Sequence, residues 1–184
     1  TLAYLGVQLK QQGKLNDNSI VITQYSNLAL DDYLQEQGIT TYRVENGDKA
    51  VMQMLKDNKL NFGGEHSGHI IMDTQLGSGD GIRAAVEILK RLDPSIPVSR
   101  QLNDLYTPNP QIQQSFKLPQ RIISTADLEQ PIQRELEEIR KTIEGEGGRL
   151  LARPSGTEPK MRILVESQDD TLNQEMMKKV QDLF

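Results

Sequence analysis

The sequence predicts a three-layer α/β domain with a mixed, mostly parallel sheet over residues 1–105. A smaller α+β domain follows over residues 106–184, with helices packed on an antiparallel sheet. Three observations carry this reading. In the first half, short apolar runs alternate with stretches of helical period, the pattern of an α/β layer whose ligand loops lie beyond the carboxyl ends of its strands. The second half places a long helical stripe, two apolar runs joined by a tight loop, and a terminal helix in that order. Between them, residues 105–119 shift towards Tyr, Pro, Asn and Gln, and Pro108, Pro110 and Pro119 limit regular structure.

In chain order, Leu2, Leu5 and Leu9 fall at helical spacing, and Gly13 can end that helix. A turn at Asn16-Asp17-Asn18 leads to Ile20-Val21-Ile22, a short and fully apolar strand. Ser26 and Asn27 offer caps for a helix running to about Gln37, and Gly38 stops it. A strand over residues 39–44 comes next. Gly47-Asp48 then opens a helix carrying Val51, Met54 and Leu55, and Leu60-Asn61-Phe62 reads as a strand entering a glycine-rich motif. Ile70-Ile71-Met72 resumes a strand, and Gly77-Ser78-Gly79-Asp80-Gly81 makes a flexible turn. Ile82, Ala85, Val86 and Leu89 mark one face of the following helix. The glycine run has neither the G-x-G-x-x-G spacing nor the lysine of a nucleotide loop. In the second half, Leu128, Ile132, Leu136, Ile139 and Ile143 form one stripe, interrupted at Gly145-Glu146-Gly147-Gly148. Leu172, Met176, Val180 and Leu183 form another.

Composition narrows the function classes. With 184 residues, 36% of them hydrophobic, the chain can bury real cores. A net charge of -5 argues against a general nucleic-acid or membrane surface, which needs a broad positive field, so any anion site must be local. Without cysteine there are no disulfides and no thiolate chemistry, which fits a reducing compartment. No apolar run approaches 18 residues and no signal-like segment opens the chain, so a soluble, cytoplasmic protein is expected. The chain starts at Thr1 inside a helical pattern, which reads as a piece of a longer polypeptide.

Positive charge and turn chemistry concentrate at residues 148–162, GRLLARPSGTEPKMR, where Arg149, Arg153, Lys160 and Arg162 face only Glu158. Apolar runs at Leu150-Leu151-Ala152 and Met161-Ile163-Leu164-Val165 predict strand, tight loop, strand. The loop Pro154-Ser155-Gly156-Thr157 brings hydroxyl donors, a glycine that admits close approach, and successive N–H groups that can form an anion-binding concavity. Arg153 adds a planar fork suited to two phosphate oxygens. A charged hairpin connection is the plainer reading of Arg-Pro-Ser-Gly taken alone. The second motif is Gly63-Gly64-Glu65-His66-Ser67-Gly68-His69. Glu65 offers two acceptor oxygens and Ser67 can donate and accept, as recognition of vicinal hydroxyls requires. His69, with an ordinary pKa near 6.5, can shuttle a proton or contact phosphate, while either histidine can simply tie the loop together. A metal site from Glu65, His66 and His69 lacks helical H-E-x-x-H spacing and a further ligand.

These two motifs carry a resemblance. RPSGTEPKMR is similar to the C-terminal phosphate-binding loop of the α-D-phosphohexomutases. The segment from Gly63 to His69 resembles that family's G-E-x-S-G-H sugar loop, and the motifs stand in the family's order. Gly47-Asp48-Lys49 resembles a further G-D-R loop, with lysine replacing the fork of arginine. The nearest branch is the phosphoglucosamine mutases, from which His66 departs where glutamine is usual.

The resemblance implies the third and fourth domains of a four-domain enzyme that interconverts glucosamine 6-phosphate and glucosamine 1-phosphate through a phosphoserine and a bisphosphate, in amino-sugar and cell-wall precursor synthesis. It implies that Gly64, Glu65, Ser67, Asp48 and Lys49 bind sugar and that His69 sits near the reacting centre. Arg153, Ser155, Gly156, Thr157 and Arg162 would grip phosphate. The family's phosphoserine motif, T-A-S-H-N-P, and its Mg²⁺ loop, D-G-D-[AG]-D-R, do not occur in these 184 residues. Mg²⁺ is therefore expected in the whole enzyme, with none held by this chain, and the chain alone is expected to be inactive. The implied partners are a phosphosugar and the N-terminal domains of the same enzyme, with no nucleic acid and no membrane; a homodimer is also admitted. A phosphomannomutase, a phosphoglucomutase or a non-catalytic phosphosugar-binding protein remain open alternatives.

Overall fold

The apolar run around Ile20 forms the centre of the first sheet because all five residues of its strand are buried. Strand β1 (Ser19–Thr23) pairs in parallel with β2 (Thr40–Val44), from Ser19↔Thr40 to Thr23↔Val44, and with β3 (Gly63–Gly64) at Val21↔Gly63. Strand β4 (Ile70–Ile71) closes the sheet antiparallel to β3, giving the order β2-β1-β3-β4. The computed structural model describes residues 1–72 and 79–184, in two compact units, Thr1–Pro108 and Asn109–Phe184.

Alternation along β1 creates three layers, since successive side chains point to opposite faces. Ile20 and Ile22 join Leu2, Leu5 and Leu9 of α1 (Leu2–Gln11) and Leu30 and Leu34 of α2 (Leu28–Glu36) in one core. Val21 joins Val51, Met52 and Leu55 of α3 (Asp48–Asp57) in another. Each fully buried side chain of this kind contributes about 1.5–3 kcal/mol. The helix ends follow the expected chemistry. Asn27 accepts a hydrogen bond from the Ala29 N–H at 3.1 Å, and Gly38 leaves α2 with φ at +65°. Arg43 of β2 ties down the loop before α2 by donating to the carbonyls of Thr23 and Ser26, at 3.1 and 2.8 Å, and by pairing with Asp31.

Three expectations are corrected. The strand predicted at Leu60-Asn61-Phe62 begins later, at Gly63; Leu60 and Phe62 are buried core residues just ahead of it, so an apolar run marked burial rather than strand pairing. Ile82, Val86 and Leu89 of α4 (Gly81–Leu89) are exposed, and the helix instead buries Ala84 with Ile88 packed beside it. Both sides of α4 are apolar, so periodicity does not choose between them. Residues 105–119 are not irregular throughout, because Gln111–Lys117 form strand β5. A short helix, α5 (Val98–Asn103), was not anticipated. The glycine-rich turn expected at residues 77–81 falls partly outside the described residues.

In the second unit the order is β5-β7-β6 and all pairings are antiparallel. Helix α6 (Gln130–Gly145) contributes Leu136, Ile139 and Ile143, and α7 (Asp170–Gln181) contributes Met176, Met177 and Val180. These pack on Leu150, Met161, Ile163 and Val165 of β6 (Arg149–Pro154) and β7 (Lys160–Glu166). Among the described residues, no helix is long and apolar enough to cross a membrane.

Candidate functional site

The first predicted motif is a hairpin between two very short strands. Glu65 N–H donates to the His69 carbonyl at 2.9 Å, Gly68 N–H donates to the Glu65 carbonyl at 3.1 Å, and Gly68 makes the turn with φ at +98°. Gly63 and Gly64 serve the sheet rather than an open loop. A Cβ at Gly63 would lie 2.6 Å from the Val21 carbonyl oxygen, and one at Gly64 would lie 2.4 Å from that of His69. Gly64 is thus a buried packing position, and its glycine is explained by close backbone approach.

Glu65 is the hub of this site. Its Oε1 accepts from the N–H of Gly47, the residue capping α3, at 2.8 Å. Its Oε2 accepts from the Ser67 hydroxyl at 3.3 Å and lies 3.1 Å from His69 Nδ1. Only 12% of the side chain is exposed. Burial pushes the Glu65 carboxyl up, but hydrogen bonds from His69, the Gly47 N–H and Ser67 outweigh it and hold the group below the usual range. Asp48, in the first turn of α3, puts Oδ1 3.1 Å from the same His69 nitrogen. His69 is exposed, and its pKa is raised by the hydrogen bond to Glu65, with the charge of Asp48 adding to it. Both contacts favour the protonated imidazole over the neutral one.

The remaining residues of the motif sort by contact. Ser67 is exposed beside Glu65. Lys49 is exposed and forms no ion pair among the described residues. His66 stacks on Tyr25, with ring centroids 5.7 Å apart and planes at 23°. Tyr25 is a partner that sequence reasoning missed, because nothing local links positions 25 and 66.

Asp48, Glu65 and His69 place one ligand atom each within 4.8 Å of one another. The fold thus adds Asp48 to the Glu65 and His69 considered from sequence. This donor set does not fit Mg²⁺, which demands near-octahedral oxygen ligands. His69 Nδ1 is moreover already engaged, 3.1 Å from Glu65 Oε2.

The second motif is the β6–β7 connection. Arg153 and Arg162 are direct cross-strand neighbours, both exposed, and neither forms an ion pair among the described residues. Like charges directly opposite each other are destabilising, so the pair is unfavourable unless an anion joins it. Ser155 is buried, and its hydroxyl is engaged inside the turn, accepting from the Glu158 N–H at 3.3 Å, while its own N–H donates to the Lys160 carbonyl at 2.8 Å. Gly156 and Thr157 are exposed at the tip. Lys160 pairs with Glu158 at 2.7 Å, and that hydrogen bond, with the charges of Lys160 and Arg162, holds the Glu158 carboxyl below its ordinary range.

Arg149 does not belong to this cluster. Its Nε donates to Glu166 Oε2 at 2.8 Å, Gln111 donates to the same oxygen at 2.9 Å, and Glu166 is fully buried. The stretch that reads as four cations against Glu158 is thus divided by folding into a structural pair, a surface pair and two arginines that form no ion pair among the described residues.

Two family models match the chain. Residues 1–109 match "Phosphoglucomutase/phosphomannomutase, alpha/beta/alpha domain III", and residues 116–183 match the C-terminal domain of the same family. Phosphoglucosamine mutases from Nautilia profundicola and Sulfurovum sp. are each 36% identical over the whole chain, which spans 40% of their length. One from Clostridium botulinum is 36% identical over 91% of the chain and 37% of its own length. Among solved structures, Aspergillus fumigatus N-acetylphosphoglucosamine mutase in complex with GlcNAc-6P and magnesium aligns with a TM-score of 0.77 at 18% identity, over 99% of this chain and 46% of that one. An N-acetylglucosamine-phosphate mutase in its product complex gives 0.73 at 20% identity, covering 99% and 43%. Over the two units described above, the chain belongs to the phosphoglucomutase/phosphomannomutase family, whose domain III and C-terminal domain it comprises.

Proposed function

We propose that this chain is the substrate-holding part of a phosphoglucosamine mutase that interconverts glucosamine 6-phosphate and glucosamine 1-phosphate through a phosphoserine and a bisphosphate. The single observation behind it is the exposed Arg153–Arg162 couple, without an ion pair among the described residues, beside the exposed Gly156–Thr157 tip. Two guanidinium groups compensate the charge of a phosphate, and a bidentate contact also orients it. In the other unit, Glu65, Ser67, Asp48 and Lys49 contact sugar hydroxyls. Glu65 keeps spare acceptor capacity on both oxygens, since a carboxylate has about four lone-pair sites. His69, whose pKa is raised by Glu65 and Asp48, donates to an oxygen of the phosphoryl group in transit and, when protonated, compensates its charge. Phosphoryl transfer depends on positioning and electrostatic compensation. These residues supply both, while the serine and the Mg²⁺ ligands belong to segments of the enzyme outside this sequence. Two relatives matched over the whole chain, both phosphoglucosamine mutases, support the glucosamine substrate over its mannose and glucose counterparts.

Calorimetric titration with glucosamine 6-phosphate tests the reading, run on the chain and on Arg153→Ala. Saturable binding that the variant loses is expected, with mannose 6-phosphate and glucose 6-phosphate binding more weakly. Equal binding by chain and variant would remove the arginine couple from the site, and turnover by the chain alone with Mg²⁺ would refute its role as a holding part only.

A further inference from the structure

Glu65 and His69 flank the turn of one hairpin and Asp48 opens the helix beside it, so metal-ligating side chains from two elements converge on one spot. Asp48 Oδ1 and Glu65 Oε2 each lie 3.1 Å from His69 Nδ1, and Asp48 Oδ1 is a buried atom. Among the described residues this is the one group of three such side chains whose donor atoms fall within 4.8 Å of one another. Four-coordinate zinc, with bonds of about 2.0–2.1 Å, holds neighbouring ligand atoms about 3.3–3.4 Å apart. Two edges of such a tetrahedron are therefore nearly set before any metal arrives. The ligands are also held from behind. Glu65 Oε1 accepts from the Gly47 N–H at 2.8 Å, the Glu65 N–H donates to the His69 carbonyl at 2.9 Å, and the Ser67 hydroxyl donates to Glu65 Oε2 at 3.3 Å. Hydrogen bonds of this kind orient ligating groups and raise metal affinity.

We propose that Asp48, Glu65 and His69 form a Zn²⁺ site with three protein ligands and a fourth position open to solvent on the exposed side of His69. Two carboxylates and a neutral imidazole bring two negative charges, which one divalent cation balances. Mixed oxygen and nitrogen donors suit zinc, whereas Mg²⁺ takes oxygen ligands in an octahedron. When the metal binds, Nδ1 gives up any proton it carries, and the contact between Glu65 and His69 is exchanged for two metal bonds. The site stands on this geometry and not on the proposed reaction. Its consequence does rest on the proposed role of these residues in sugar binding: a metal held by Glu65, Asp48 and His69 occupies the groups that would meet the sugar, so Zn²⁺ excludes the phosphosugar and acts as an inhibitor.

Calorimetric titration of the chain with Zn²⁺ tests the site, and the background is low because the sequence has no cysteine and only two histidines. Saturable binding of one equivalent is expected. Asp48→Asn and His69→Gln should each weaken it about tenfold or more, the scale on which even the supporting partners of a ligand act. Both side chains are partly exposed, 42% and 61%, so these variants keep the fold. His66→Ala, which removes the other histidine, should stay within about twofold of the unaltered chain. Absence of saturable binding, or equal binding by the chain, Asp48→Asn and His69→Gln, would overturn the site. Co²⁺ supplies a second readout: strong visible absorption of a four-coordinate ion is expected with the chain and lost in Asp48→Asn, and the weak spectrum of a six-coordinate ion would overturn the geometry. Repeating the Zn²⁺ titration with glucosamine 6-phosphate, corrected for the affinity of the sugar phosphate itself for Zn²⁺, separates the two claims. Weaker Zn²⁺ binding is expected, and unchanged binding would overturn the exclusion while the metal site stands.

Discussion

Arg153 and Arg162 stand directly opposite each other across β6 and β7, both exposed and both without an ion-pair partner among the described residues. Like charges directly opposite each other across a strand pair are destabilising, and a sheet built only for stability would place a carboxylate across from one of them.

Removing one of the two should therefore stabilise the empty protein while weakening anion binding. Arg162→Ala is expected to raise stability by about 0.2–1 kcal/mol and to weaken glucosamine 6-phosphate about tenfold or more, the scale of a lost charge-assisted contact. Urea denaturation and calorimetry measure the two effects on the same sample. A variant that loses stability and keeps its affinity would show that the couple is structural.

The Arg149–Glu166 pair should behave in the opposite way. Glu166 is fully buried and the Arg149 side chain is 11% exposed, so deleting one partner strands a buried charge. Arg149→Met should destabilise the second unit by about 3–5 kcal/mol, and adding Glu166→Leu should recover most of that loss. A double-mutant cycle by chemical denaturation decides it; additive losses would contradict the assignment.

The raised pKa of His69 fixes a sign for pH dependence. A group whose folded pKa lies above its unfolded value, near 6.5, contributes stability that is fully present below the unfolded value. That contribution is lost as pH rises through the folded one. NMR titration of the imidazole should give a midpoint above the ordinary histidine value, and Glu65→Gln should lower it because the leading hydrogen bond is weakened. A midpoint at or below the ordinary value would contradict the contacts with Glu65 and Asp48.

Gly64→Ala should damage the hairpin without touching its polar side chains. Its Cβ would fall 2.4 Å from the His69 carbonyl oxygen, forcing β3 and β4 apart. A loss of about 1–3 kcal/mol is expected, together with exchange of the Glu65 amide, whose bond to the His69 carbonyl spans the same gap. A neutral substitution, with that amide still protected, would show that the strands have room to yield.

Much of this architecture is local and therefore legible. The strand at Ile20, the Asn27 cap, the Gly38 stop and the stripes of α6 and α7 follow from periodicity and turn chemistry within a few residues. Strand β5 was not legible in the same way. Ile112 and Phe116 do alternate with exposed polar neighbours, but the flanking prolines obscure them, and the strand exists through its seven-residue pairing with β7. The inward face of α4 was equally hidden, because two apolar stripes on one helix differ only in what the sheet offers them.

The sequence by itself determined the alternation of elements, the position of both loops and the residue types they carry. Each of these depends on neighbours a few positions apart. Only the tertiary structure decided which of those residues are paired and which are open. It brought Gly47 and Asp48 to Glu65 and His69, spent Arg149 on the buried Glu166, and left Arg153 and Arg162 facing each other. The physical reason is that a charge interacts through space and not along the chain. Its partner is set by sheet register and helix placement, which only the whole packed unit fixes.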